Sequence, residues 1–252
     1  MKHVPFLLRP VGKDYLWGGE RLKTEYHKQI DLTPLAETWE CSTHPDGCSI
    51  VDSGAAAGKP LRTVLQEHPE YLGIYANSEG ELPILIKLID AKKDLSVQVH
   101  PDDAYAKQYE NGQNGKTEMW YVLEAEPDAS LVYGFQHTMT PERLRQSLAE
   151  GTLEADLQSV PVSKNDAFLI PAGTVHAIGA GILLAEIQQS SNLTYRLYDY
   201  NRTDANGNKR PLHIEKAVAT VDYQQKPLPE QNRTVEQKDG YTAVSYTHLT
   251  LP

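Results

Sequence analysis

The chain has 252 residues, 40% of them hydrophobic and 23% charged, with a formal net charge of -10. That length buries a substantial core as one large or two small domains, and the acidic balance excludes nucleic acid as a main partner, because phosphate backbones need basic surface. The two cysteines, Cys41 and Cys48, are too few for a disulfide scaffold and lack CxxC spacing, so they read as free thiols in a reducing compartment.

In chain order, Phe6-Leu7-Leu8 is interrupted by Pro5, Arg9 and Pro10 and forms no signal-peptide core. Pro60–His68 reads as a helix. Ile84–Ile89 reads as a strand with Lys87 set among apolar residues, and Leu95–Val99 as a strand ending at His100. Alternation puts Ser96, Gln98 and His100 on one face, and Val97 and Val99 on the other. Asp102–Tyr109 is expected to be a helix with its acidic residues in the first turn, where the dipole favours them. Strands follow at Met119–Leu123, with Lys116 and Glu118 at its mouth, and at Ser130–Tyr133. Thr140 as N-cap and Pro141 at N1 open another helix, which Gly151 stops, with Thr152 capping a short successor. Ala167–Ile170 runs into the turn Pro171-Ala172-Gly173, and His176 starts the next strand. Ile182–Ile187 and Thr194–Tyr198 are strands interrupted by Glu186 and Arg196. Leu212–Val221 is a helix, and the polar stretch 224–240 a linker. No apolar stretch is long enough to span a membrane, so a cytoplasmic protein is expected. Many short strands without regular intervening helices predict a mainly β jelly roll with a few peripheral helices.

The chemistry-bearing residues sit at strand ends. His100, Glu118 and His176 supply two imidazoles and a carboxylate, with Gln98 beside them. That set suits zinc with room for water or substrate, and equally the two-His, one-carboxylate sites of non-haem iron. Charged residues inside apolar strands are costly unless paired. Glu186 and Arg196 therefore form either a bridge across a hairpin or part of a pocket, and Lys87, Lys116 and Arg196 a local positive cluster. No glycine-rich phosphate loop and no GxSxG elbow are present.

The combination SVQVHPDD (96–103), KTEMWYVL (116–123), PAGTVHAI (171–178) and AEIQQSSNLTYRLYDYNR (185–202), with WGGERL (17–22) and AETWECSTHPDG (36–47), resembles class I mannose-6-phosphate isomerases of the short bacterial type. The P-x-G-x-x-H turn resembles the second cupin motif, with Asn165 where that motif usually begins with Gly. The resemblance implies a cupin fold and a zinc-dependent aldose–ketose isomerase interconverting mannose 6-phosphate and fructose 6-phosphate. It implies zinc held by Gln98, His100, Glu118 and His176, and Arg196 as the catalytic arginine. It also implies Ser96, Lys87 and Lys116 lining the substrate and phosphate pocket. Glu186 is the best remaining strand-borne carboxylate for the general base. The resemblance covers residues 1–223 as the catalytic domain. Residues 224–252 are expected to be a linker and the start of a further region, with an atypical tail at 245–252. A non-catalytic sugar-phosphate-binding cupin and a cupin iron oxygenase are the alternatives.

Overall fold

The structure, a computed structural model, describes residues 5–203, 206–229 and 233–246. The strands in chain order are β1 (Leu8–Arg9), β2 (Val11–Lys13), β3 (Glu37–Cys41), β4 (Ile50–Val51), β5 (Ile84–Ala91), β6 (Val97–Val99), β7 (Glu118–Ala125), β8 (Ser130–Phe135), β9 (Leu157–Pro161), β10 (Ala167–Ile170), β11 (His176–Ile178), β12 (Ile182–Gln189), β13 (Tyr195–Tyr198), β14 (Arg233–Lys238) and β15 (Tyr241–Tyr246). The α-helices are α1 (Arg21–Thr24), α2 (Leu61–Glu67), α3 (Asp103–Tyr109), α4 (Pro141–Glu150) and α5 (Ile214–Thr220).

Two antiparallel sheets make the body. One has the order β10-β7-β12-β5-β3-β2 and the other β13-β6-β11-β8-β9. Side chains from both, including Trp120, Phe168, Ile182, Leu184, Leu131, Val160 and Ile178, fill the space between them. This is the jelly-roll sandwich expected of a cupin, with one apolar layer shared by two inner faces. A second cluster covers the outer face of the five-stranded sheet. There Val97, Val99, Tyr195 and Leu197 pack against Leu144 of α4 and Ala217 and Val218 of α5. Strand alternation thus sends Val97 and Val99 outward to the helices and leaves Gln98 for the interior.

The early glycines have a steric reason. A Cβ on Gly18 would lie 2.4 Å from Ala36 Cβ, so the WGGERL segment can press against the start of β3 only with glycine there. Arg21 then locks the segment to β5, its Nε donating to Asp90 Oδ1 at 2.7 Å and its backbone N–H to Asp90 Oδ2 at 2.8 Å.

Local signals set the helix starts. Asp102 Oδ1 accepts from the Tyr105 N–H at 2.8 Å, and Thr140 Oγ1 from the Arg143 N–H at 3.1 Å. Thr152 makes no such bond, although a short 3-10 turn, Leu153–Asp156, follows it. The linker expected at 224–240 is corrected in its second half. Arg233–Lys238 pairs with Tyr241–Tyr246 across a turn at Asp239-Gly240, where Gly240 has φ 83°. Polar side chains hid this strand, because a hairpin with little apolar alternation looks like a loop in sequence. Of the tail expected to be atypical, 245 and 246 end β15, and 247–252 lie outside the described residues. No helix among the described residues is long and apolar enough to cross a membrane.

Candidate active site

Along β5, β7 and β12 the buried side chains of the inner face change from apolar to charged: Ile89 gives way to Lys87, Trp120 to Glu118, and Leu184 to Glu186. These strands are neighbours, with Glu186 opposite Lys87 on one side and opposite Trp120 on the other. On the facing sheet, Gln98 lies opposite His176 on one side and Arg196 on the other. The charged end of one sheet therefore meets the His- and Arg-bearing end of the other.

His100, Glu118 and His176 are buried, and each offers a ligand atom within 4.8 Å of the others. His100 Nε2 is 3.4 Å from Glu118 Oε2, and His176 Nε2 is 3.3 Å from Glu118 Oε1. The Gln98 amide reaches His176 Nε2 at 3.3 Å. Both Glu118 oxygens are buried; Oε1 has no hydrogen-bond donor, and Oε2 has only the Lys116 ammonium at 2.8 Å. A dry carboxylate between two imidazole lone pairs is the donor set a divalent metal completes. The Thr174 carbonyl can only accept, so at 2.8 Å it fixes the proton on His176 Nδ1 and turns the Nε2 lone pair toward Glu118.

The turn before His176 is tied to the other histidine. Gly173 has φ 85°, its N–H donates to the His100 carbonyl at 2.9 Å, and its own carbonyl accepts from the Asp222 N–H at 2.8 Å. Asn165, standing where the cupin motif usually has glycine, takes φ 73°, and its Oδ1 accepts from Tyr121 Oη at 2.9 Å. Asparagine tolerates that left-handed backbone better than other non-glycine residues, so the departure keeps the geometry.

Residues 6–130 match the family described as phosphomannose isomerase type I, catalytic domain. A mannose-6-phosphate isomerase of Streptococcus mutans is 44% identical over 215 residues, 85% of this chain and 66% of that protein. The Bacillus subtilis mannose-6-phosphate isomerase ManA is 41% identical over 223 residues, 88% of this chain and 69% of its own length. The crystal structure of a mannose 6-phosphate isomerase from Bacillus subtilis superposes with a TM-score of 0.89 at 36% identity, covering 96% of this chain and 76% of that one. The chain belongs to the type I phosphomannose isomerase family.

A cavity of about 270 Å³ opens beside the metal-type cluster of this family member, and Ser96, Gln98, Lys116, Glu186, Arg196 and Arg210 line it among others. Glu186 and Arg196 lie on different sheets and form no ion pair among the described residues, so the bridge across a hairpin is not made. Instead Trp120 Nε1 donates to Glu186 Oε2 at 3.0 Å, and Arg196 Nε donates to Ser96 Oγ at 3.2 Å. The two lysines expected to form a free positive cluster are buried in ion pairs. Lys87 Nζ lies 3.2 Å from Glu186 and 3.7 Å from Glu37, and Lys116 Nζ lies 2.8 Å from Glu118 and 3.8 Å from Glu186.

These charges alternate in sign from Glu37 to Glu118, and the alternation sets their ionisation. Burial pulls the Lys87 ammonium down, but Glu37 and Glu186 outweigh it and raise it above its ordinary value. Burial pushes the Glu118 carboxyl up, yet Lys116 and the two imidazoles hold it well below the usual range. Burial, then Glu118, raises the Glu186 carboxyl. Burial, then Lys116, pushes the His100 imidazole down to about 3, and burial lowers His176. Neutral imidazoles are the form that binds metal.

The sequence reading missed Glu37, Tyr15 and Arg210, all of which line this cavity. Glu37 begins β3 and accepts from Trp39 Nε1 at 2.8 Å. As a charge at the start of an apolar strand it carried a signal of the kind that marked Lys87. Arg210 sits in a loop, where alternation gives no signal.

Proposed function

We propose that this chain interconverts mannose 6-phosphate and fructose 6-phosphate with one zinc ion held by Gln98, His100, Glu118 and His176. The single observation that carries the metal site is the buried Glu118 carboxylate flanked by two imidazole Nε2 atoms at 3.3 and 3.4 Å, with no donor on Oε1 and only the Lys116 ammonium on Oε2. Two imidazoles, a carboxylate and an amide form the mixed nitrogen and oxygen set that zinc accepts. Residues 1–223 would carry all of this chemistry.

The reaction moves a proton between C2 and C1 of the sugar and another between the neighbouring oxygens. A bound divalent ion supplies Lewis acidity toward those oxygens. Of the pocket carboxylates not engaged by the imidazoles, Glu37 and Glu186, Glu186 lies nearer the cluster, sharing Lys116 with Glu118. We assign it the C2 proton, with Trp120 Nε1 on its second oxygen orienting it. Arg196, anchored by Ser96 Oγ and the Pro211 carbonyl, presents its remaining guanidinium donors to the charge that develops on the sugar oxygens. Ser96, Lys87 and Lys116 line the substrate's path, the lysines also keeping the buried carboxylates ionised in fixed places.

The test pairs metal analysis with a coupled assay for fructose 6-phosphate. The expected result is one zinc per chain and product formation from mannose 6-phosphate, both lost in His176→Ala. Full zinc and normal turnover in that variant would sink the site. Sugar-phosphate binding without product would leave a non-catalytic cupin.

A further inference from the structure

We infer that the loop between β3 and β4, residues 42–49, is a lid of the catalytic cavity, latched by the hydrogen bond between Asp46 and Asn192. This rests on the isomerase reading above, which makes that cavity the place of reaction, and adds a moving part to it.

The loop has a fixed base and a lightly held tip. At the base the Ser49 N–H donates to the Ser42 carbonyl at 2.9 Å, the Ser42 N–H to Ser49 Oγ at 3.0 Å, and the Leu82 N–H to Thr43 Oγ1 at 3.0 Å. The tip, His44-Pro45-Asp46-Gly47, is a turn closed by the Gly47 N–H on the His44 carbonyl at 3.0 Å, with Pro45 and Asp46 exposed. Two side chains reach it from outside: Lys13 Nζ donates to the Asp46 carbonyl at 2.7 Å, and Asn192 Nδ2 to Asp46 Oδ2 at 2.9 Å. A loop whose ends meet and whose tip hangs on exposed polar bonds opens at little cost, and lids are drawn from such segments.

The latch lies in the cavity wall. Asn192, on the loop that leads into β13, lines the catalytic cavity with Thr194 and Arg196. Asp46 lines a separate polar crevice of about 450 Å³ with His44, Ser190 and Ser191. Their hydrogen bond is therefore the seam between the two spaces, and parting it joins the cavity to the crevice. Closed, the seam keeps water from one side of the reacting sugar, where a dry site strengthens every charge interaction.

The tip also bears on the buried charges. Gly47 sits so close to the Trp39 ring that a Cβ there would lie 2.7 Å from Cε3, and the His44 ring stands edge-on to the same indole, centroids 5.9 Å apart. Trp39 Nε1 in turn donates to Glu37 at 2.8 Å, and its ring centroid is 5.0 Å from Lys87 Nζ. Closing the tip thus seats the indole that holds Glu37 and Lys87.

The experiment is a double-mutant cycle on mannose 6-phosphate with Asp46→Ala, Asn192→Ala and the two together, joined to hydrogen–deuterium exchange of residues 42–49 in the metal-loaded protein. Each single variant is expected to lower kcat/KM by about threefold to tenfold, the worth of one exposed hydrogen bond, and the double variant no further than the worse single one. Without ligand, loop exchange should be about threefold faster or more in both single variants. In wild type it should slow when the equilibrium mixture of mannose 6-phosphate and fructose 6-phosphate is added. A loss in Asn192→Ala alone, with Asp46→Ala like wild type, would make Asn192 a substrate contact and overturn the lid. Additive losses overturn it too, as does loop exchange that the variants, or the substrate mixture in an active wild type, leave unchanged. If wild type forms no product, the isomerase reading fails separately, and ligand-free exchange of wild type against Asp46→Ala still decides whether the latch holds the loop.

Discussion

Replacing Lys87 by methionine removes the central cation of the buried charge array while keeping most of the side-chain volume. Its ammonium lies 3.2 Å from Glu186 and 3.7 Å from Glu37, and all three side chains are under a tenth exposed. At an effective dielectric of about 20 these separations correspond to attractions of about 5 and about 4.5 kcal/mol. Desolvation of the three ions offsets most of that in the intact array, so the net worth of the lysine is small. Removing it alone is different, because two carboxylates then face each other in a dry site, and the expected loss is about 3–5 kcal/mol. Equilibrium urea denaturation of the metal-free protein measures it, with the midpoint shifting at constant slope. A pH signature accompanies the loss. Without Lys87 the Glu186 carboxyl, already raised by burial and Glu118, rises further, so the folded state binds more protons than the unfolded one above the ordinary carboxylate range. Stability of the variant then falls as pH rises, and the deficit against wild type is smallest in acid. Adding Glu186→Gln should restore part of the loss, since one stranded charge goes with it. A deficit under about 1 kcal/mol that does not vary with pH would refute the reasoning and return Lys87 to a marginal role.

Three further outcomes follow from the same geometry. Arg196→Lys should retain bound zinc yet lose about 10²–10³ in kcat, the scale of an oxyanion donor; turnover within a few-fold of wild type, with zinc measured in parallel, would make Arg196 structural. In the metal-free protein, His100 is held at about 3 against an ordinary histidine value near 6.5. The unfolded chain therefore binds the extra proton first, and stability is lost as pH falls below about 6.5, by about 3 kcal/mol at pH 4; urea midpoints across that range test it, and a flat profile contradicts the buried neutral imidazole. Gly18→Ala places a methyl group 2.4 Å from Ala36 Cβ, and the overpacking should cost about 1–3 kcal/mol in the same denaturation assay; no change would mean the segment moves freely.

Much of the site was legible because strands alternate. Once 95–100 was read as extended, Gln98 and His100 had to share a face, and Val97 and Val99 had to face the opposite way, toward what proved to be α4 and α5. The same parity put Lys87, Glu118 and Glu186 among apolar neighbours, which marked them as paired or functional. The turn at 171–173 was legible from Pro and Gly, and the helix starts from Asp102 and Thr140. The hairpin of β14 and β15 was not, because its residues carry little apolar rhythm.

By itself, then, the sequence determined which side chains face inward, where strands end, and which donor types gather at those ends, since period-two geometry and turn chemistry act within a few residues of chain. Only the tertiary structure decided who pairs with whom. It put Glu186 and Arg196 on separate sheets, so the bridge that proximity in sequence suggested does not form. It set Lys87 between Glu37 and Glu186, and added Glu186 to Lys116 beside that lysine's near neighbour Glu118, turning an expected anion site into a nearly neutral array. And it folded the loop after β13 back over a strand edge to bring Arg210 to the cavity, because an unpaired edge accepts any backbone that can satisfy its hydrogen bonds, a matter no local pattern records.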